Sequence, residues 1–364
     1  MKNTIAAATL LLIFWLAGCI RPEAENMEAD ILEVKLPDSI LIAPPVLSNT
    51  TVRAFVKYEK MNIKAFALEF VLTPGATISP QSGVAQDFSS PVTYTVRSAD
   101  GNWTKQYRVS LLQNTVSGTF FFENWALTPE ANYGTPYEIE FGEQQNVWAS
   151  GNSGFSLVTP EKAPEAYPTR QFTEAIEGKY SALLETKSTG TLGAMFNMPI
   201  AAGNLFLGSF DGSKSFTAPL EATVFGIPFN KKPVRFTGQY KYVSGGPVKD
   251  KNQQPVSPER LDECDIYAVI FKGSAGQPYL NGTNVLTDPS VVAVAQLANG
   301  RSTAGSGFVA FDIPFQYRAE IDPTDLAAYA YKLTVVFSSS KNGAVFEGAV
   351  GSKLLVDNVK ILTE

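Results

Sequence analysis

The sequence predicts an all-β protein: an N-terminal immunoglobulin-like β-sandwich followed by a larger jelly-roll β-sandwich. Three observations predict it. Phe (24) and Tyr (14) are abundant while charged residues make up only 18% of the chain, a composition suited to strands that bury a face. Gly (28) and Pro (23) punctuate the chain throughout, as a protein of many turns requires. Apolar residues recur with period two, and no amphipathic helix longer than a turn or two stands out.

In chain order, the first domain spans 29–113. Ile31-Leu32-Glu33-Val34-Lys35-Leu36 and Thr51-Val52-Arg53-Ala54-Phe55-Val56 read as strands. Leu68-Glu69-Phe70-Val71-Leu72 leads into the turn signal Thr73-Pro74-Gly75-Ala76. Val92–Arg97 and Gln106–Leu111 flank Ser98-Ala99-Asp100-Gly101-Asn102, a hairpin around Asp-Gly. Short strands over such a stretch make a small sandwich. Its polar residues sit where turns and solvated faces would put them.

The second domain spans 115–364. It opens on Gly118–Trp125 and continues through Gly178–Thr186, Val234–Val243, Asp265–Lys272 and Gly307–Tyr317, with Tyr331–Ser338 and Lys353–Ile361 closing it. Asp322–Tyr329 is the best short helix candidate, with Pro323 near its start. Long loops between strands fit a two-sheet jelly roll. The length agrees, being more than one core usually serves.

Ahead of both lies a secretory signal, residues 1–18. Lys2 gives a positive start, Ile5 to Ala17 is almost wholly apolar, and the segment is too short for a stable membrane span. Residues 19–28 read as an acidic, polar tether. Leu16-Ala17-Gly18-Cys19 resembles the bacterial lipobox. The resemblance implies cleavage before Cys19, a diacylated thiol and an acylated new amino terminus. Several chains, at about 0.8 kcal/mol per buried methylene, give a stable anchor. Ile20 after the cysteine resembles the outer-membrane sorting choice of Gram-negative lipoproteins. The expectation is a lipid-anchored outer-membrane protein on the periplasmic or cell-surface face.

Histidine is absent, which excludes a Ser-His-Asp or Cys-His site, an HExxH or three-His zinc site and a His general base. It also leaves no side chain whose ordinary pKa lies near neutrality, so ligand binding should vary little between about pH 6 and 8. Of two cysteines, lipid takes Cys19, and Cys264 reads as a buried thiol. Oxygen-ligand metal binding and paired-carboxylate chemistry survive. Net charge is −6 with no Lys/Arg cluster, which argues against a nucleic-acid partner.

Two further resemblances concern the domains. Leu72–Pro80, Gly83–Phe88, Val92–Val96, Asp100-Gly101 and Tyr107–Val109 resemble a spacer domain common in surface proteins of the Bacteroidetes. Phe122-Glu123-Asn124-Trp125, Trp148–Asn152, Phe236–Tyr242, Asp265–Val269, Phe337–Lys341, Phe346–Ala349 and Val350–Val359 resemble, in order, the putative carbohydrate-metabolism domain of Bacteroidetes lipoproteins. The resemblance implies a jelly roll like carbohydrate-binding modules and brings no catalytic residue with it.

Three constellations are candidates. Trp148 and Asn152 stand in a Gly/Asn/Ser-rich segment, where an indole face could meet pyranose C–H groups and an amide could meet hydroxyls. The alternative is a core Trp followed by a loop. In Pro233–Tyr242, Val234, Phe236, Tyr240 and Tyr242 alternate with Arg235, Thr237, Gln239 and Lys241. The polar set, Arg235, Gln239 and Lys241 above all, would be a glycan-holding outer face or a merely solvated one. Glu123 in the first strand and Asp357 in the last are a candidate pair for a structural Ca²⁺, if first and last strands are neighbours; otherwise each caps a turn or pairs with a lysine. No spacing singles out a catalytic carboxylate pair.

The expected function is carbohydrate binding through the second domain, in glycan capture or utilisation, with a glycan or polysaccharide as partner. The alternative is a structural component assembled with other surface-complex proteins. A glycoside hydrolase comes third.

Overall fold

The computed structural model describes residues 26–56, 61–88, 92–112, 116–129, 133–140, 143–160, 163–273, 279–303, 305, 307–323, 326 and 331–364. Cys19, the boundary residues Gln113-Asn114-Thr115 and most of the 322–329 helix candidate lie outside them. The chain divides into two compact units, one ending at Leu112 and one beginning at Gln113.

The first unit is an immunoglobulin-like β-sandwich. Its main sheet has five strands in the order Leu41–Leu47, Thr51–Val56, Thr104–Leu112, Val92–Arg97, Thr77–Ser79. The Thr51–Val56 and Thr104–Leu112 strands run parallel, and the other pairs are antiparallel. Alternation decides the inner face: Val52, Ala54 and Val56 are buried, as are Tyr94 and Val96, Tyr107 and Val109. Asp30 ties the edge together, accepting from the Tyr107 hydroxyl at 2.7 Å and from the Lys105 ammonium. These two donors hold its carboxyl below the ordinary range.

The second unit is a jelly-roll sandwich. Its six-stranded sheet runs Thr169–Phe172, Ser181–Glu185, Lys353–Thr363, Pro233–Val243, Val309–Pro314, with Thr119–Phe120 also paired to Lys353–Thr363. First and last strands are therefore neighbours, Thr119 opposite Lys360 and Phe120 opposite Val359. The eight-stranded sheet runs Trp148–Ala149, Asn204–Phe210, Tyr331–Ser338, Asp265–Lys272, Val291–Gln296, Gln316–Tyr317. Thr223–Phe225 and Ile227–Pro228 add to it beside Asn204–Phe210 and Tyr331–Ser338.

One core fills the space between the sheets. Phe236, Tyr240, Tyr242, Leu354 and Val356 from one side meet Leu205, Leu207, Ile266, Ile270, Leu333 and Phe337 from the other. Cys264 is buried there, and burial pushes its thiol up, so it is an inert packing group. Val234 is a correction. It is 39% exposed because the ladder slips a residue between Pro233 and Arg235, ending the alternation that Phe236, Tyr240 and Tyr242 keep. Gly238 sits where any Cβ would strike the Phe311 ring at 2.6 Å, which explains a glycine inside the longest strand pairing of the sheet.

The eight-stranded sheet also buries much of its outer face. A second cluster there joins Phe206, Phe225, Tyr267, Phe271, Leu280, Val285 and Val336. This is why Asp265–Lys272 reads as an unbroken apolar run: Ile266, Ala268 and Ile270 serve the main core, Tyr267, Val269 and Phe271 the outer cluster.

Candidate functional site

Two rows of side chains cross three neighbouring strands on that outer face. Asn204 is opposite Ser338, and Ser338 opposite Asp265. Two residues along, Phe206 is opposite Val336, and Val336 opposite Tyr267. A polar row thus lies beside an apolar, aromatic row, since residues two apart share a face. Both rows form the floor of a cavity of about 410 Å³, within the range of small-molecule sites. Phe210, Phe216 and Phe225, the Gly282–Leu286 turn, Ala344 and Phe346 are also among its lining. Phe216 packs against Phe196 with ring centroids 4.7 Å apart, and Phe196 is 49% exposed.

The polar lining differs in how far it is already engaged. Asn152 is 1% exposed and clamped to Thr169, donating to its carbonyl at 2.6 Å and accepting from its N–H at 3.0 Å. Asn204 accepts from the Gly151 N–H at 2.7 Å. Asp265 is 8% exposed and takes hydrogen bonds from Gln296 Nε2 at 3.1 and 3.3 Å. Burial pushes its carboxyl up, against the opposing pull of Gln296 and the Lys341 charge. Tyr267 is 7% exposed, lines the cavity, and its hydroxyl makes no hydrogen bond among the described residues.

The residues singled out from the sequence are placed otherwise. Trp148 is a correction: it is 3% exposed and packs in the main core against Phe120, Phe122 and Phe337, so no face is free for a sugar. A large apolar ring beside a sheet gains more from burial than from a solvated loop. Asn152 lines the cavity, but both ends of its amide serve the Thr169 backbone. Arg235, Gln239 and Lys241 lie on the six-stranded sheet, away from the cavity lining. Arg235 pairs with Asp312 at 2.5 Å and Lys241 with Glu174 at 2.7 Å, so two of the three are ion-paired on their own face.

Glu123 and Asp357 do come to one place, but as acceptors of backbone N–H groups. Glu123 accepts from Lys179 and Tyr180, and Asp357 from Ile176, Glu177 and Asn358. Burial pushes Asp357 up against those donors, with the Glu123 charge adding to the rise. The pair holds the 176–180 loop; Gly178, at φ +75°, lets that loop close to where a Cβ would meet Glu123 Oε1 at 2.3 Å. Five N–H donors meet the two carboxylates at the place that was a candidate for Ca²⁺, and no cluster of three metal-ligating side chains occurs among the described residues.

The indole N–H of Trp148 donates to Glu138 Oε1 at 2.7 Å. Burial pushes Glu138 up to about 7, and Glu140 adds to the rise, while the indole opposes it. A group titrating near neutrality therefore exists without histidine. Because the folded pKa lies above the ordinary 4.5, its contribution to stability is fully present below about 4.5 and is lost as pH rises through about 7. The loss is at most roughly 3 kcal/mol. Glu138→Gln keeps an acceptor for the indole, so melting curves from about pH 5 to 8 should become flatter than those of the wild type. An identical pH slope in both proteins would contradict this assignment.

A jelly-roll sandwich with an amphipathic, small-ligand-sized cavity on one outer sheet face is the class of protein that fold and site define. The chain belongs to the family described as Putative carbohydrate metabolism domain, which matches residues 121–362. Residues 32–111 match a second family, described as SGBP, N-terminal. The chain is 40% identical to a solved structure from Bacteroides thetaiotaomicron VPI-5482, described as a putative glycoside hydrolase, with a TM-score of 0.73 over 94% of this chain and 99% of that one. A structure from Bacteroides vulgatus ATCC 8482 with the same description is 33% identical, with a TM-score of 0.63 over 69% of this chain and 99% of that one. No curated protein matches the chain.

Proposed function

We propose that the protein binds carbohydrate in the cavity on the outer face of the eight-stranded sheet. One observation carries the reading: the floor sets a polar row, Asn204-Ser338-Asp265, beside an apolar row, Phe206-Val336-Tyr267. A pyranose is amphipathic in the same way, with C–H groups that favour an aromatic wall and hydroxyls that need acceptors and donors. Membership of a carbohydrate-metabolism family supports it. An assembly role without a glycan site would be favoured by a buried Trp148 only in the absence of an aromatic-lined cleft elsewhere, and this cavity is one.

Binding fits better than hydrolysis. Asp265 is the sole carboxylate among the described residues that line the cavity. Glycoside cleavage by two carboxylates requires a partner about 5–5.5 Å away for retention or about 6.5–9.5 Å for inversion. A glycan array over plant, host and microbial polysaccharides should give hits, with no reducing sugar released from them. Reducing-sugar release would move the reading to a hydrolase.

The proposal extends to location. Lipidation at Cys19 would hold the protein at the outer membrane, with the first unit as a spacer. Cys19→Ala should abolish membrane fractionation; a variant that stays with the outer membrane would remove the anchor from the account.

A further inference from the structure

Resting on that reading, we propose that the cavity selects neutral sugars over uronic acids, with Asp265 accepting two neighbouring hydroxyls of one ring and the Tyr267 hydroxyl completing the contact. Asp265 and Tyr267 lie two residues apart on the outward face of one strand, so both address the same side of a bound ring. A carboxylate offers about four lone-pair sites on two oxygens. Here Gln296 Nε2 donates at 3.1 and 3.3 Å and the Ile266 backbone N–H also contributes, so part of the acceptor capacity remains on a residue only 8% exposed. The spacing of two carboxylate oxygens suits two hydroxyls on adjacent ring carbons, as it suits any paired donor.

Charge sets the sign of the preference. A uronate carboxylate brought to this floor would meet the buried Asp265 charge in a poorly screened environment. Lys341 also lines the cavity and offsets part of that charge, but it is exposed and its attraction is screened by solvent, whereas Asp265 is 8% exposed. Tyr267 adds the second observation. Its hydroxyl has no hydrogen-bond partner among the described residues and is not sealed from the cavity, so it is free to pair with a bound hydroxyl.

Titration calorimetry on the full mature chain tests this, with matched neutral and acidic homo-oligosaccharides that differ only at C6, galacto- against galacturono- and gluco- against glucurono-oligomers. The wild type should bind a neutral member at least about tenfold more tightly than its uronate partner. Asp265→Asn should lose at least about tenfold on the neutral member and narrow the difference between the two. Tyr267→Phe should weaken binding severalfold without lowering the melting temperature, and it carries the test if Asp265→Asn unfolds. A preference for the uronate, or unchanged affinity in Asp265→Asn while a cavity-filling variant abolishes binding, overturns the selectivity but leaves the cavity as the site. No binding of any member overturns the selectivity, and with an array that gives no hit it overturns the carbohydrate-binding reading as well.

Discussion

Asp262→Ala should lower the melting temperature of the second unit by roughly 6–20 °C, corresponding to about 3–5 kcal/mol. Asp262 is 3% exposed, and its Oδ2 accepts from Ser340 Oγ at 2.6 Å, Ser352 Oγ at 2.7 Å and the Ala349 N–H at 2.8 Å. Its Oδ1 accepts from the Glu263 N–H at 3.0 Å. Burial pushes the carboxyl up in spite of these donors. Truncation leaves the donors in a closed site without an acceptor, and each unmet group costs about 1–3 kcal/mol. The network ties two segments to one buried carboxylate, Ser340 from one and Ala349 and Ser352 from the other. A shift below about 2 °C, read by circular dichroism, would show that Asp262 does not hold them together.

Ala344→Trp should abolish glycan binding, with a loss of at least about tenfold and a melting temperature within a few degrees of the wild type. Ala344 is exposed, lies in the short 3-10 turn Gly343–Val345 and lines the cavity. An indole there occupies ligand space without entering a packed core, and exposed substitutions usually shift stability by less than about 0.5 kcal/mol. The array hits of the wild type should vanish in this variant. Hits that survive would place the glycan elsewhere on the molecule.

The fold was legible wherever one face is buried and the other wet. Thr51–Val56 and Val92–Arg97 alternate cleanly, and the structure assigns both as strands with those bounds. Asp265–Lys272 is equally clear as a buried strand. Leu41–Leu47 does not read as a strand, because Pro44 and Pro45 argue against one. The site was less legible, for three physical reasons. Asn204–Phe210 does not stand out, because Asn204, Gly208 and Ser209 break the apolar pattern; yet it supplies one third of the cavity floor. Trp148 carries the chemistry of a sugar platform, but residue type does not tell which side of a sheet it joins. Arg235 and Lys241 do present a polar face, but their acidic partners, Asp312 and Glu174, come from segments far away in sequence. One usable signal exists. An apolar run as continuous as Asp265–Phe271 means burial on both faces, and on an outer strand face that burial requires covering loops, which is where a cavity forms.

Saccharide in the outer-face cavity would be seen directly in a crystal structure of the protein with its strongest array hit. The expected density is a sugar ring with its C–H face toward Phe206 and Tyr267 and hydroxyls on Asp265. Density for the sugar on the Arg235, Gln239 and Lys241 face instead, with the cavity empty of it, would contradict the account.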